Sequence, residues 1–243
     1  ALSLALARRT GLDAEKIWNL GLIGVVTAIV GARLLLAIAN WSSFRAAPLL
    51  LLRLSGLGFP GVRSPIFALG GCAIALLFCA AYALRTHLPL LRTLDVAAPA
   101  LALGHAFACI GCFAAGCGYG RPASVAWGVT FTSRFAARTT GVPLGVPLHP
   151  VQLYQSAVSF ALVALLLMFF GRRHRDGEIM GAWLFLSGVA GFFLDFLRGD
   201  ATPGPLLSAA FTVGQSVAIV MVLAGGLLWL RPRRSQKEAV LAG

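Results

Sequence analysis

The chain has 243 residues, 58% of them hydrophobic and only 12% charged, with a mean hydropathy of +0.85 and a formal net charge of +12 at pH 7. Soluble domains carry about 25% charged residues, so this composition excludes an ordinary soluble domain and points to an integral membrane protein. The positive charge is no sign of a nucleic-acid partner: it gathers at Arg8/Arg9, Arg85–Arg92, Arg172/Arg173/Arg175 and Arg231/Arg233/Arg234/Lys237, each beside an apolar run.

The chain opens with ALSLALA before Arg8 and Arg9. Seven apolar residues rise about 10 Å as a helix, a third of a bilayer, so this reads as the tail of a span. Six full spans follow at approximately 19–40, 65–84, 95–116, 150–170, 179–197 and 206–230. These runs are continuous, whereas a membrane barrel alternates apolar and polar residues in short segments. The expected fold is all-α: a polytopic membrane helical bundle forming a single membrane domain over residues 1–243.

If the spans alternate, the four basic clusters share one side, which the positive-inside rule makes cytoplasmic. The C-terminal RPRRSQKEAVLAG is then cytoplasmic, and a bacterial inner (plasma) membrane with anionic headgroups suffices as partner for the charge. The opposite side holds 41–64, 117–149 and 198–205. Of these, 117–149 is the largest polar excursion, a small extracytoplasmic cap. VAWGVTFTS at 125–133 reads as a short strand, and GVPLGVPLHP at 141–150 as a turn-rich return to the membrane.

Chemistry-bearing residues concentrate in HAFACIGCFAAGCGYGR, 105–121. Polar and soft side chains at a membrane boundary are costly to place idly. His105, Cys109 and Cys112 fall at i, i+4 and i+7 and line one helix face. The rise from His105 to Cys112, about 10 Å, is too long for one metal to reach all three, and Cys117 joins only if the chain bends at Gly116 or Gly118. Three readings stand side by side: small packing hydrophobes, a thiol pair such as Cys109/Cys112 poised for a disulfide, or a partial metal site. No metal ligand set is assigned. Cys72 and Cys79, two turns apart in an apolar span, read as packing.

Arg33 lies in the middle of VVTAIVGARLLLAIANW, where a guanidinium faces a cavity, a lipid phosphate or a carboxylate unless it snorkels. Asp195 and Arg198 have helical ion-pair spacing at the end of GAWLFLSGVAGFFLDFLRGD. Asp195 reads as the one acidic residue truly inside a span, either closing the helix end or acting as a base or orienter. LHPVQLYQ at 148–155 opens a span with His149, Gln152 and Tyr154. No P-loop, dinucleotide fingerprint or nucleophile elbow occurs, and no cofactor is expected.

Together these segments resemble the prolipoprotein diacylglyceryl transferase family over nearly the whole chain. Residues 4–36 resemble the end of its first span, a cytoplasmic loop and a second span with G-x-R. SPIFALGGCAIALL falls where the family has HGG. IGCFAAGCGYGRPASVAWGVTF at 110–131 resembles the signature R-x-G-N-F-x-N-x-E-x-x-G-R-P with its W-G-V strand. LHPVQLYQ resembles R-H-P-S-Q-L-Y-E, and GFFLDFLRGD a segment ending E-F-F-R.

The resemblance implies seven spans with a cap, and transfer of a diacylglyceryl group from phosphatidylglycerol to the cysteine thiol of a lipoprotein precursor. By position, the family histidine is Leu69 here, the signature arginine, asparagine and glutamate are Cys109, Cys112 and Cys117, and a sixth-span arginine is Gly191. Arg33, Arg121, His149, Gln152, Tyr154 and Arg198 fall on matching positions and are expected to meet the lipid headgroup. Asp195 replaces a glutamate, and His105 becomes the replacement base. The expected function is a phospholipid-dependent transferase with His105, Cys109, Cys112, Cys117 and Asp195 in the catalytic set. Two alternatives are a catalytically retired lipid-binding accessory subunit docked to a larger membrane complex, and a thiol-redox or metal-handling membrane protein.

Overall fold

The structure, a computed structural model, describes residues 1–46, 65–172, 175–201 and 211–231. Most of the 41–64 segment, half of 198–205, the start of the 206–230 span, the basic residues Arg173, Arg233, Arg234 and Lys237, and the C-terminal tail lie outside the described residues. Two compact units divide the chain, Ala1–Thr93 and Leu94–Gly243.

In the first unit, α1 (Leu2–Arg9) is followed by α2 (Ala14–Ala39), α3 (Trp41–Ala46) and α4 (Pro65–Arg85). Asp13 starts α2, its carboxylate accepting from the amides of Glu15 and Lys16 and so satisfying donors a helix start leaves unpaired. Helices in a bilayer associate through van der Waals packing, favoured where small residues let backbones approach. A Cβ on Gly71 would lie 2.6 Å from the Ala28 carbonyl oxygen and 2.8 Å from the Ala32 Cβ; one on Gly31 would lie 2.9 Å from Ile74. Cys79 joins this α2–α4 seam, its thiol 3.6 Å from the Leu20 carbonyl oxygen, while Cys72 is exposed.

The second unit contains most of α5 (Leu90–Ala115), then β1 (Val129–Thr130), α6 (Arg134–Thr140), β2 (Pro147–Leu148), α7 (Val151–Phe170), α8 (Glu178–Asp195) and α9 (Val213–Trp229). Ala98 and Ala102 of α5 pack with Leu166 of α7 and Ile179, Met180 and Ala182 of α8. The α8–α9 pair again closes on glycine: a Cβ on Gly188 would sit 2.8 Å from the Ala218 carbonyl oxygen, and one on Gly225 2.5 Å from the Phe185 nitrogen. Asp95, 1% exposed, accepts from the amides of Gly177 (2.6 Å) and Met180 (2.9 Å), capping the start of α8 from another helix. The expectation that Asp195 is the one acidic residue inside a span is thereby corrected. Asp95 was hidden because it stands at the edge of its apolar run, although α5 begins five residues earlier.

Among the described residues four helices, α2, α5, α7 and α8, are long and apolar enough to cross a membrane, and Leu69–Arg85 and Val213–Trp229 are shorter apolar helices. The protein is therefore a multi-pass helical membrane protein, with Leu76, Leu77 and Leu227 among the large apolar side chains it exposes. The strand expected over 125–133 narrows to β1, paired antiparallel with β2 in the register Val129–Leu148 and Thr130–Pro147. Ala136, Val142 and Leu148 form a small core beneath it, with Tyr119 and Phe131 packed alongside.

Candidate functional site at the end of α5

The end of α5 is built by backbone geometry. Gly116 takes φ +80°, its amide bonds the Phe113 carbonyl at 3.3 Å, and the Cys117 amide bonds the Cys112 carbonyl at 3.0 Å. This double bond with a left-handed glycine is the Schellman termination, which satisfies the last helix carbonyls. A side chain at 116 would also meet Ala136 and Val142, each 3.2 Å from its Cβ. Beyond it the chain passes through Gly118 (φ +65°) and Gly120, which bridges to Arg198.

That bridge carries the polar centre. The Gly199 amide donates to the Tyr119 carbonyl (2.9 Å) and the Arg121 amide to the Leu197 carbonyl (2.8 Å). Arg198 donates to Asp200 through Nε (3.0 Å) and Nη2 (3.2 Å), and its Nε lies 3.8 Å from Asp195 Oδ1. Asp200 also accepts from the Gly118 amide at 3.1 Å. Arg121, exposed, donates through Nε to the Arg198 carbonyl at 3.2 Å. Asp195 is buried at the start of α9 and accepts from the Thr212 hydroxyl, whose oxygen in turn caps Gln215 in a reciprocal capping box. Asp195 therefore faces Arg198 and a helix N-terminus, where negative charge is favoured.

A second cluster lies further back along α5. His105 Nδ1 is 2.8 Å from Ser159 Oγ, and its Nε2 is 3.7 Å from Cys109 Sγ. The buried Cys109 thiol also lies within 3.9 Å of Gln155 Oε1. Cys112, one turn on, is aligned instead with Cys117, whose Sγ lies 3.6 Å from the Cys112 carbonyl oxygen. Contact with the Cys112 side chain, followed by burial, pushes the Cys117 thiol up from the ordinary thiol range. All five cysteines are free thiols, and among the described residues no group of three or more His, Cys, Asp or Glu side chains is placed to hold a metal ion.

The structure thus groups Cys112, Cys117, Gln152, Arg121, Asp195 and Arg198 around the end of α5, and pairs His105 with Cys109. Gln152, 2% exposed, donates to the Cys117 carbonyl at 2.9 Å, and its buried Oε1 bonds no donor among the described residues. His149 and Tyr154 form their own contact, Nδ1 to hydroxyl oxygen at 3.4 Å, with Trp127 Nε1 donating to the same hydroxyl at 2.6 Å. Arg33 belongs to the first unit, half-buried in the C-terminal half of α2. Sequence reasoning missed Ser159, Gln155, Asp200 and Thr212. Of these only Thr212 left a usable signal, the T-x-x-Q capping spacing before an apolar run.

The family model of prolipoprotein diacylglyceryl transferase matches residues 1–231. Three relatives, each called a phosphatidylglycerol–prolipoprotein diacylglyceryl transferase, support it. That of Clostridium perfringens (number 2) is 30% identical over 228 residues, spanning 93% of this chain and 82% of the relative. That of Clostridium tetani is 32% identical over 195 residues, 80% and 73% of the two chains. That of Gloeobacter violaceus is 32% identical over 241 residues, 98% and 86%. With a match running from the first residue through α9, the chain belongs to the prolipoprotein diacylglyceryl transferase family.

Proposed function

We propose that this chain transfers the diacylglyceryl group of phosphatidylglycerol to the cysteine thiol of a lipoprotein precursor. The acceptor sulfur, deprotonated, attacks the glycerol carbon; the carbon–oxygen bond to phosphate breaks, and glycerol phosphate leaves. The observation that carries this reading is the guanidinium pair of Arg198 and Arg121, fixed by backbone bridging at the mouth of α5. Preorganised cations of this kind stabilise charge as it develops on a departing phosphate. Arg198, oriented by Asp195 and Asp200, and the more exposed Arg121 are assigned to the headgroup, with Gln152 Oε1 accepting from a headgroup hydroxyl. His105, held by Ser159, is assigned as the base in place of the family histidine. His149 and Tyr154 border the headgroup site, and Arg33 is a separate headgroup candidate on α2.

The same reading takes the chain as one membrane domain with six full spans plus the tail of a seventh. The 117–149 segment is the extracytoplasmic cap, the C-terminus is cytoplasmic, and the setting is a bacterial inner membrane. The basic clusters support this orientation. A second reading, a lipid-binding accessory subunit docked to a larger membrane complex, is favoured by one observation: cysteines occupy three signature positions, so the polar and charged side chains there are replaced by thiols.

Single-turnover transfer separates the two. Purified protein in lipid is mixed with labelled phosphatidylglycerol and a peptide bearing a lipoprotein cysteine. Label on the peptide is expected, and its loss in Arg198→Ala. Lipid binding without transfer selects the accessory reading, and unchanged transfer in both Arg121→Ala and Arg198→Ala rejects the site.

A further inference from the structure

We infer that Cys112 and Cys117 form a dithiol site that closes to an intramolecular disulfide by exchange with a disulfide-bearing co-substrate.

The argument begins with the helix end. In a Schellman termination the residue two places beyond the helix and the residue three places before its cap are the two whose side chains meet. With Gly116 as the left-handed residue, those positions are Cys117 and Cys112. Most helices place apolar side chains there; this one places two thiols. A helical i, i+3 pair is less well served: Cys109 turns its sulfur toward His105 and Gln155.

The approach is held from several sides. Thr140 Oγ1 donates to the Gly116 carbonyl at 3.0 Å, Gln152 Nε2 to the Cys117 carbonyl, and the Gly118 amide to Asp200. The loop therefore cannot swing Cys117 away without breaking bonds to α6, α7 and the segment after α8. Both thiols are partly exposed, so a reagent reaches them.

The chemistry balances without any metal. The Cys112 sulfur, deprotonated, attacks one sulfur of the co-substrate disulfide and releases a thiol, leaving a mixed disulfide. Cys117 then gives up its proton and attacks the Cys112 sulfur, releasing the second thiol. Two protein thiols are oxidised, one disulfide is reduced, and two thiols leave. The Cys117 Sγ lies 3.6 Å from the Cys112 carbonyl oxygen and its amide bonds the same oxygen at 3.0 Å, which places the resolving thiol beside the residue it attacks. The closed bond would lock the last turn of α5 to the loop that meets Asp200 and Arg198. Nothing in this step depends on lipid transfer.

The test uses the full chain in lipid, treated with dithiodipyridine and digested with chymotrypsin without reductant. Phe113 lies between the two residues, so cleavage after it puts Cys112 and Cys117 on different fragments, whereas Cys109 and Cys112 stay on one after cleavage at Phe107 and Phe113. The expected result is a 112-bearing fragment joined to a 117-bearing fragment, separable by reductant and carrying no pyridyl group. The link survives Cys109→Ser, and Cys117→Ser leaves Cys112 with a retained pyridyl adduct. Adducts on both residues of the unaltered chain, a Cys109–Cys112 bond, or two unreacted thiols would each overturn the proposal.

Discussion

The α2–α4 seam and the end of α5 pack apolar helices in opposite ways. Along α2–α4 the contact is made by removing side chains: Gly31, Gly70 and Gly71 let Ile74, Leu35 and the Ala28 carbonyl press against backbone. At the end of α5 the contact is made by pairing polar groups, with Arg198, Asp195, Asp200, Thr212 and Gln152 each bonding across a loop or a helix terminus. The first arrangement makes its contact by close approach of backbones, which suits helices in a bilayer. The second concentrates charge where backbone donors and acceptors run out. The same α8 takes part in both modes: Gly188 packs on α9 by close approach, and seven residues later Asp195 meets the start of α9 through a hydroxyl.

Four expectations break or sharpen this contrast. The largest is chemical. Arg198→Ala lowers single-turnover transfer by about 10²–10³, the usual cost of removing one preorganised donor, and lowers the melting temperature as well because the buried Asp195 loses its cation. Next comes close packing. Gly225→Ala sets a methyl 2.5 Å from the Phe185 nitrogen and destabilises by about 1–3 kcal/mol, read as a lowered melting temperature in detergent. Gly104→Ala, with nothing within 4 Å of its new carbon, is the control and shifts melting little. Smaller again is Thr212→Ala, which removes the α9 cap and costs about 1 kcal/mol in the same melt. The smallest effect is kinetic. Because the Cys117 thiol is raised, its alkylation is slower than that of an ordinary thiol at neutral pH and rises into the alkaline range. Cys112→Ala removes the leading cause and moves that profile to lower pH.

Much of the architecture was legible because apolar length is a strong signal. The runs at 19–40, 95–116 and 150–170 became α2, α5 and α7 with ends shifted by a few residues. The family was legible for a different reason: LHPVQLYQ and the G-R-P after Cys117 keep their order and spacing. What stayed hidden was pairing. Cys112 was associated with Cys109 by helical spacing, whereas the turn at Gly116 presents it to Cys117. That turn depends on a backbone angle, and the sequence marks it only as a glycine. Asp200 was invisible because its role comes from a bridge between Gly120 and Arg198, residues far apart in the chain.

Asp95 carries a consequence for how the protein is made. A helix start buried inside the protein cannot leave its first amides to water, and the start of α8 satisfies two, those of Gly177 and Met180, with a carboxylate that belongs to α5. Until α5 is beside it, α8 has those two amides unpaired, and α5 a carboxylate with those two bonds unmade. Synthesis from the N-terminus delivers the carboxylate first and the amides about eighty residues later, so α5 waits as a template that α8 completes on arrival. A chain rearranged to emerge α8 before α5 would have the same residues to fold with but would lose that order of assembly.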